Sequence, residues 1–157
     1  MPLVLAVHNA EEAVAFRRFL PRLASSLPAP LRTIEQRLSF GSMLTVLVLV
    51  TLVAVAVALW STLRPRSRIA LWAVFAVVAT IALNVGSHVV SAIAIVRGYA
   101  PGLVTAVLVN APFAAYLFRR AAREQWLSRR ALLWTIPAAL VLHGPVLVGT
   151  LWLAGTR

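Results

Sequence analysis

The chain has 157 residues, of which 61% are hydrophobic and 12% are charged, and its mean hydropathy is +0.90. This composition excludes an ordinary soluble domain, because a packed domain of this length has too little interior to hide so much apolar surface. The net charge of +11 comes from arginine without any lysine, and the absence of cysteine excludes disulfides, thiolate nucleophiles and thiolate metal sites.

The arginines lie mainly in short segments between long apolar runs. A nucleic-acid-binding protein could be equally basic. Arginines confined to short connections between apolar runs instead indicate membrane topology and contact with lipid headgroups. We therefore expect the lipid bilayer to be a partner of this protein and expect no interaction with nucleic acid.

The first predicted helix covers residues 1–20 and contains a polar stretch within an otherwise apolar N-terminus. His8, Glu11 and Glu12 lie there between two largely apolar runs. About 20 residues are just enough to cross a hydrocarbon core. Because the polar stretch makes this helix a poor lipid-facing span, we expect the other helices to surround it.

Residues 21–39 are predicted to form a linker, because prolines interrupt them. In the second half, Leu31, Ile34 and Leu38 recur at helical spacing, opposite charged and amide side chains. This pattern is typical of a short helix lying in the membrane interface, and a solvated loop is nearly as compatible with it.

The remaining apolar runs predict four further membrane helices, at residues 40–63, 69–96, 101–118 and 131–154. The run at 40–63 is the cleanest of them, and prolines are expected to bend the last one. The whole chain, residues 1–157, is thus predicted to be a single all-α domain. Its fold class is a polytopic transmembrane helix bundle of about five membrane helices.

The two most basic connections, residues 64–68 and 119–130, together carry eight arginines. Strict alternation of five membrane helices puts both connections on one side, and short arginine-rich connections are typical of the cytoplasmic side. The N-terminus would then be cytoplasmic and the C-terminus external, although the linker carries arginines to the opposite side. We expect a multi-pass protein of the plasma membrane.

Polar side chains recur near the centres of several predicted helices: His8, Glu11, Glu12, Asn84, His88, Asn110 and His143. A helix rises about 1.5 Å per residue, so these positions fall at similar depths. An ionisable group in hydrocarbon costs at least about 2.5–3.5 kcal/mol, so such groups face the bundle interior. We therefore predict a buried site of histidine, glutamate and asparagine near the membrane midplane.

The spacing of these residues supports one shared site. His8, Glu11 and Glu12 stand at i, i+3 and i+4, so they point the same way from one helix, and Asn84 and His88 do so from another. Two neighbouring carboxylates in a low dielectric cannot both ionise cheaply, so the pair should share a proton or a cation.

Single polar residues in membrane helices also serve simply to join helices by hydrogen bonds. For Asn110 and His143 that structural role is as good an explanation as a functional one. We therefore treat these two residues as supporting members of the predicted site.

Three segments resemble a known family. The first is His8-x-x-Glu11-Glu12, the second is Asn84-x-x-x-His88, and the third is the stretch from Tyr99 to Thr105 that opens the next helix. Together, over residues 8 to about 112, they resemble the HXXEE-motif family of small bacterial integral membrane proteins. The family has no known function, so the resemblance implies no reaction. Only seven residues precede His8, so either the first helix begins abruptly or the protein begins further upstream.

The first functional hypothesis is an enzyme acting on a lipid or isoprenoid-like substrate. In a metal-assisted version, His8, Glu11, Glu12 and His88 supply ligands to a divalent metal such as zinc or iron. Glu12 or Asn84 would then orient a water or a ligand. In a metal-free version, a glutamate and a histidine act as general acid and base, as in double-bond isomerisation. The sequence leaves both versions open.

Two other functions remain compatible with the same residues. Glutamate and histidine within the membrane can relay protons in a proton-coupled transporter. Five helices without a visible inverted repeat match common carriers poorly, unless a homo-oligomer completes the pathway. The third possibility is a non-catalytic accessory protein of the membrane, in which replacement of Glu11 and Glu12 by glutamine would leave folding and partner binding intact.

Overall fold

The computed structural model describes residues 1–26 and 39–154, and in these ranges the chain forms helices and no β-strand. Five helices follow one another: α1 (Pro2–Ser26), α2 (Phe40–Leu63), α3 (Arg68–Ile95), α4 (residues 103–123) and α5 (Arg129–Ala154). The predicted fold class, an all-α transmembrane bundle of about five helices, is confirmed.

Three of these helices, α2, α3 and α5, are long and apolar enough to cross a membrane. The other two helices, α1 and α4, are less uniformly apolar because polar or charged residues interrupt their apolar sequence. Helix α1 carries the polar stretch around Glu11, and the last turns of α4 carry arginines. The protein is therefore a membrane protein with three helices of clear spanning character.

The predicted end of the first helix at residue 20 is wrong, because α1 continues through Pro21 to Ser26. A proline removes one backbone N–H and tends to bend a helix, and within a bundle it need not end one. The interfacial helix predicted around Leu31 lies outside the described residues.

Local sequence explains where α2 and α3 begin and end. Ser39 accepts a hydrogen bond from the Ser42 backbone N–H at 3.0 Å, and the Ser42 hydroxyl accepts one from the Ser39 N–H at 3.0 Å. This capping box satisfies free donors at the helix start. Helix α2 ends just before Arg64 and Pro65, and Ser67 caps α3 through the Ala70 N–H at 3.2 Å.

Helix α3 lies at the centre of the bundle. It packs against α2, α4 and α5, whereas α1 packs mainly against α2 and α4. Leu5, Ala54 and Ile81 form a small buried cluster that joins α1, α2 and α3. This arrangement brings the polar residues of α1 against α3 and the start of α4.

Each of α3, α4 and α5 contains a π-helical turn, at Ser91–Ile95, Ala106–Asn110 and Leu142–Val146 respectively. Single π-helical turns widen a helix locally and occur frequently at functional sites. Two of these turns contain residues of the predicted site, Asn110 and His143. Pro145 lies within the π-helical turn of α5, the helix that prolines are expected to bend.

Candidate functional site

The polar cluster lies where α1 and α3 meet the turn that leads into α4. Helix α1 supplies His8, Glu11 and Glu12, and α3 supplies Asn84 and His88. The turn at residues 97–102 and the first residues of α4 close the third side. The cluster therefore lies in the half of the bundle toward which α3 terminates.

His8 is completely buried and is held at both ring nitrogens. The Asn84 side-chain amide donates to Nε2 at 2.8 Å, and Nδ1 lies 2.9 Å from the Thr105 hydroxyl. The Ser87 hydroxyl, 2.8 Å from the Asn84 backbone carbonyl, also lies 3.2 Å from the Asn84 side-chain oxygen, which agrees with the amide nitrogen facing His8. With Nε2 accepting, the neutral ring carries its proton on Nδ1 and donates it to Thr105.

Glu12 lies between two imidazoles. Its carboxylate oxygens are 3.9 Å from Nε2 of His8 and 3.9 Å from Nε2 of His88. These separations are too long for hydrogen bonds. The two rings meet edge to face with centroids 4.9 Å apart. Buried Nε2 of His88 has no hydrogen-bond partner among the described residues.

These three residues form a possible metal-binding group. One ligand atom from each of His8, Glu12 and His88 lies within 4.8 Å of the others. Ligands at about 2.0–2.2 Å from a tetrahedral zinc stand roughly 3.4 Å apart. A metal would therefore require only a small inward movement of the side chains. It would also displace the Asn84 amide from the lone pair of His8.

Gly102 forms a wall of the cluster beside the two imidazoles. Its φ of +81° lies in the left-handed region, and a Cβ added there would stand 2.8 Å from Cε1 of His8 and 3.0 Å from Cε1 of His88. Glycine is therefore required both for the backbone conformation and for the space that the two rings occupy. The turn holds the imidazoles at their observed separation.

Glu11 faces the turn and not the gap between the imidazoles. Its carboxylate accepts hydrogen bonds from the Tyr99 hydroxyl at 2.6 Å and from the backbone N–H groups of Val104 at 3.3 Å and Thr105 at 2.7 Å. These N–H groups belong to the first turn of α4, where a helix has free donors and favours an anion. Glu11 is absent from the possible metal-binding group, in contrast to its predicted place as a ligand.

The supporting residues lie outside this hydrogen-bond network. Asn110 is completely buried, and neither its side-chain oxygen nor its nitrogen has a hydrogen-bond partner in the described part of the chain. His143 is partly buried in the π-helical turn of α5. The structure thus brings together His8, Glu11, Glu12, Asn84 and His88, and among the described residues neither Asn110 nor His143 joins this cluster by a hydrogen bond.

Sequence reasoning missed the roles of four residues: Asn9, Tyr99, Gly102 and Thr105. The Asn9 side chain donates to the Leu47 carbonyl at 3.1 Å and to the Thr51 hydroxyl at 2.8 Å, so it joins α1 to α2. The other three lie in one stretch that was noticed only for its resemblance to a family. A proline followed by glycine between two helices was the available signal for a close backbone approach.

Comparison with known proteins identifies a family that is described by the motif at the centre of the cluster. No curated protein and no solved structure shows a significant match to the chain. A family model described as "Protein of unknown function with HXXEE motif" matches residues 1–117. The matched region contains His8, Glu11 and Glu12 together with α3 and the turn that closes the site. The chain therefore belongs to the HXXEE-motif family.

Proposed function

We propose that this protein is a membrane-embedded enzyme that binds a divalent metal through His8, Glu12 and His88. The observation that carries the proposal is the grouping of three potential ligand atoms within 4.8 Å, one of which, Nε2 of His88, is buried without a hydrogen-bond partner among the described residues. A buried polar atom without a partner costs free energy, so the site as it stands favours an additional occupant.

The donor set fits zinc or non-haem iron. Two imidazoles and one carboxylate are a common set for catalytic metals, and they leave coordination positions open for water or substrate. The hydrogen bond from Nδ1 of His8 to Thr105 is the kind of contact that orients a ligating imidazole. A metal held there would polarise an oxygen of the substrate or activate a bound water.

The position of the cluster favours a lipid or isoprenoid-like substrate. It is built on α3, one of the three helices with clear spanning character, so an apolar molecule could approach it from within the membrane. Once a metal occupied Nε2 of His8, the Asn84 amide would be free to orient a water or a polar group of the substrate.

A metal-free acid–base enzyme is the second candidate, and one observation favours it. The Asn84 amide occupies the lone pair of His8 that a metal would need. In this version Glu12 and His88 exchange a proton with the substrate, and Asn84 and Thr105 hold His8 in one tautomer. The 3.9 Å gap between Glu12 and each imidazole would then be closed by a substrate group or a water.

Metal analysis distinguishes the two versions. We would purify the protein in detergent without chelators, incubate it with zinc or ferrous iron, and measure bound metal by mass spectrometry. The variants are His8→Ala, His88→Ala and Glu12→Gln, and the matched control is His143→Ala, a histidine of the same bundle outside the group. We expect near-stoichiometric metal in wild type and control, and its loss in the three variants.

Two results would contradict the metal-assisted version. One is absence of metal from folded wild-type protein after incubation with either ion. The other is retention of metal by all three variants, as binding elsewhere on the protein would produce. Far-ultraviolet circular dichroism of every variant would establish that the helices are intact. In either case the acid–base version would become the leading candidate.

A further inference from the structure

A second feature of the bundle lies away from the polar cluster. An apolar groove with a volume of about 510 Å³ runs between α3, α5 and the end of α4. Its lining includes Leu83, Phe118, Leu132, Ile136 and Leu140, with Arg129 as its charged member. Cavities that bind small ligands commonly measure about 300–1,000 Å³.

The polar group inside the groove is already satisfied. The Thr135 hydroxyl is completely buried and donates to the Leu132 carbonyl at 2.6 Å. The groove therefore presents hydrocarbon along its length and a single cation, Arg129, at one end. An occupant that matches this surface has a long apolar part and an anionic group at one end.

The length of the groove matches one leaflet of a bilayer. From Arg129 to Leu140, eleven residues of helix rise about 16 Å, which is close to half of a hydrocarbon core of about 30 Å. Arg129 begins α5 and adjoins the basic connection between α4 and α5. Short arginine-rich connections between membrane helices are typical of the membrane surface. A lipid chain lying in the groove would thus place its headgroup beside Arg129.

The surrounding charges favour a negative headgroup. Among neighbouring arginines, Arg120 already donates to Glu124 at 2.7 Å, and this hydrogen bond lowers the pKa of the Glu124 carboxyl. No such ion pair involves Arg129 in the described part of the chain.

We propose that this groove binds one anionic phospholipid, with an acyl chain along α3 and α5 and the phosphate at Arg129. This inference is independent of the proposed enzyme. Ala82 lines the groove, whereas Asn84, two residues further along α3, points roughly 200° away toward His8. The lipid site and the polar cluster thus lie on opposite faces of α3, and either could exist without the other.

Native mass spectrometry with defined lipids tests the proposal. Detergent-solubilised protein would receive phosphatidylglycerol or phosphatidylcholine with identical oleoyl chains, and the retained lipid would be counted per protein molecule. For wild type we expect one retained phosphatidylglycerol and much less phosphatidylcholine. We expect Arg129→Gln to lower phosphatidylglycerol retention about fivefold, as expected for one arginine beside an anionic headgroup.

Two further variants complete the test. Ala82→Phe fills the groove from an exposed position and should reduce retention of both lipids. Arg66→Gln removes an exposed arginine from another basic connection, outside the groove lining, and should leave retention unchanged. Equal retention of the two lipids by wild type would overturn the proposal. Equal effects of Arg129→Gln and Arg66→Gln would do so as well, because they would indicate attraction by the basic surface in general.

Discussion

The two neighbouring glutamates of the motif lie in opposite environments. Glu11 has both carboxylate oxygens occupied by donors from Tyr99 and from the first turn of α4. Glu12, one residue later, has no hydrogen bond among the described residues and stands 3.9 Å from each of two imidazoles. A rotation of about 100° between successive helical residues separates these environments.

The comparison indicates that the two glutamates of the motif have different roles. A carboxylate whose acceptor sites are filled by backbone and hydroxyl donors is a structural anchor, because any reaction would first have to break those bonds. A carboxylate held beside two imidazoles with its acceptor sites open is available for a metal, a proton or a substrate. Under the proposed function, we therefore expect Glu11 to anchor α4 and Glu12 to take part in the chemistry.

The largest effect is expected from Gly102→Ala, because this change affects both the packing of the two imidazoles and the backbone conformation of the turn. The added Cβ would meet the rings of His8 and His88, and the φ of +81° disfavours alanine. Left-handed strain and overpacking together should cost roughly 2–4 kcal/mol of the free energy of unfolding. The measurement is the thermal unfolding temperature in detergent, with Gly86→Ala as the control, since a Cβ there meets nothing within 4 Å. Equal unfolding temperatures for the two variants would show that the turn does not pack on the rings.

Glu11→Gln should have the next largest effect on stability. The amide keeps one acceptor oxygen but turns an NH₂ group toward backbone donors, so charge-assisted hydrogen bonds to α4 are weakened. We expect a loss of about 1–2 kcal/mol, reduced by the partial exposure of this side chain. Hydrogen exchange at the backbone amides of Val104 and Thr105 would locate the loss. Unchanged protection of these amides would contradict the anchoring role.

Thr105→Val should weaken the positioning of the His8 imidazole. Valine keeps the shape of threonine but removes the oxygen 2.9 Å from Nδ1 of the ring. The expected cost in stability is about 1 kcal/mol. If a metal binds, losing a contact that orients a ligating histidine should weaken its affinity about 10–100-fold. Titration of the metal-free protein with zinc would measure this change, and Thr45→Val, an exposed threonine of α2, is the control. An unchanged affinity would argue that Thr105 does not orient the ring.

Glu12→Gln should have the smallest effect on stability and the clearest effect on binding. Because its carboxylate makes no hydrogen bond among the described residues, its neutral isostere should change the free energy of unfolding by less than about 1 kcal/mol. Metal binding should nevertheless be lost. The pair Glu11→Gln and Glu12→Gln thus tests the comparison directly. If both variants bind metal and fold like wild type, neither glutamate has the role assigned to it.

Much of the architecture was predictable from local pattern. Apolar runs of membrane length identified the helix at 40–63 with its observed bounds, and they identified α3 and α5 to within a few residues. The pairs His8 with Glu12 and Asn84 with His88 followed from i, i+4 spacing, because this spacing alone puts two side chains on one helix face. At Pro21, in contrast, the sequence predicted the end of the first helix, and α1 continues through this residue.

Local sequence patterns were sufficient to predict a membrane helix bundle in which two helices present polar faces to a shared interior. Hydropathy and helical periodicity are local properties, so they can be read from residues close together in the chain. The packing of the helices was needed to establish that the turn at Gly102 lies against both imidazoles, that Thr105 fixes His8, and that Glu11 caps α4. The contacts of Thr105 with His8 and Glu11 join residues more than ninety positions apart, and all these contacts depend on how the helices rotate and pack against one another.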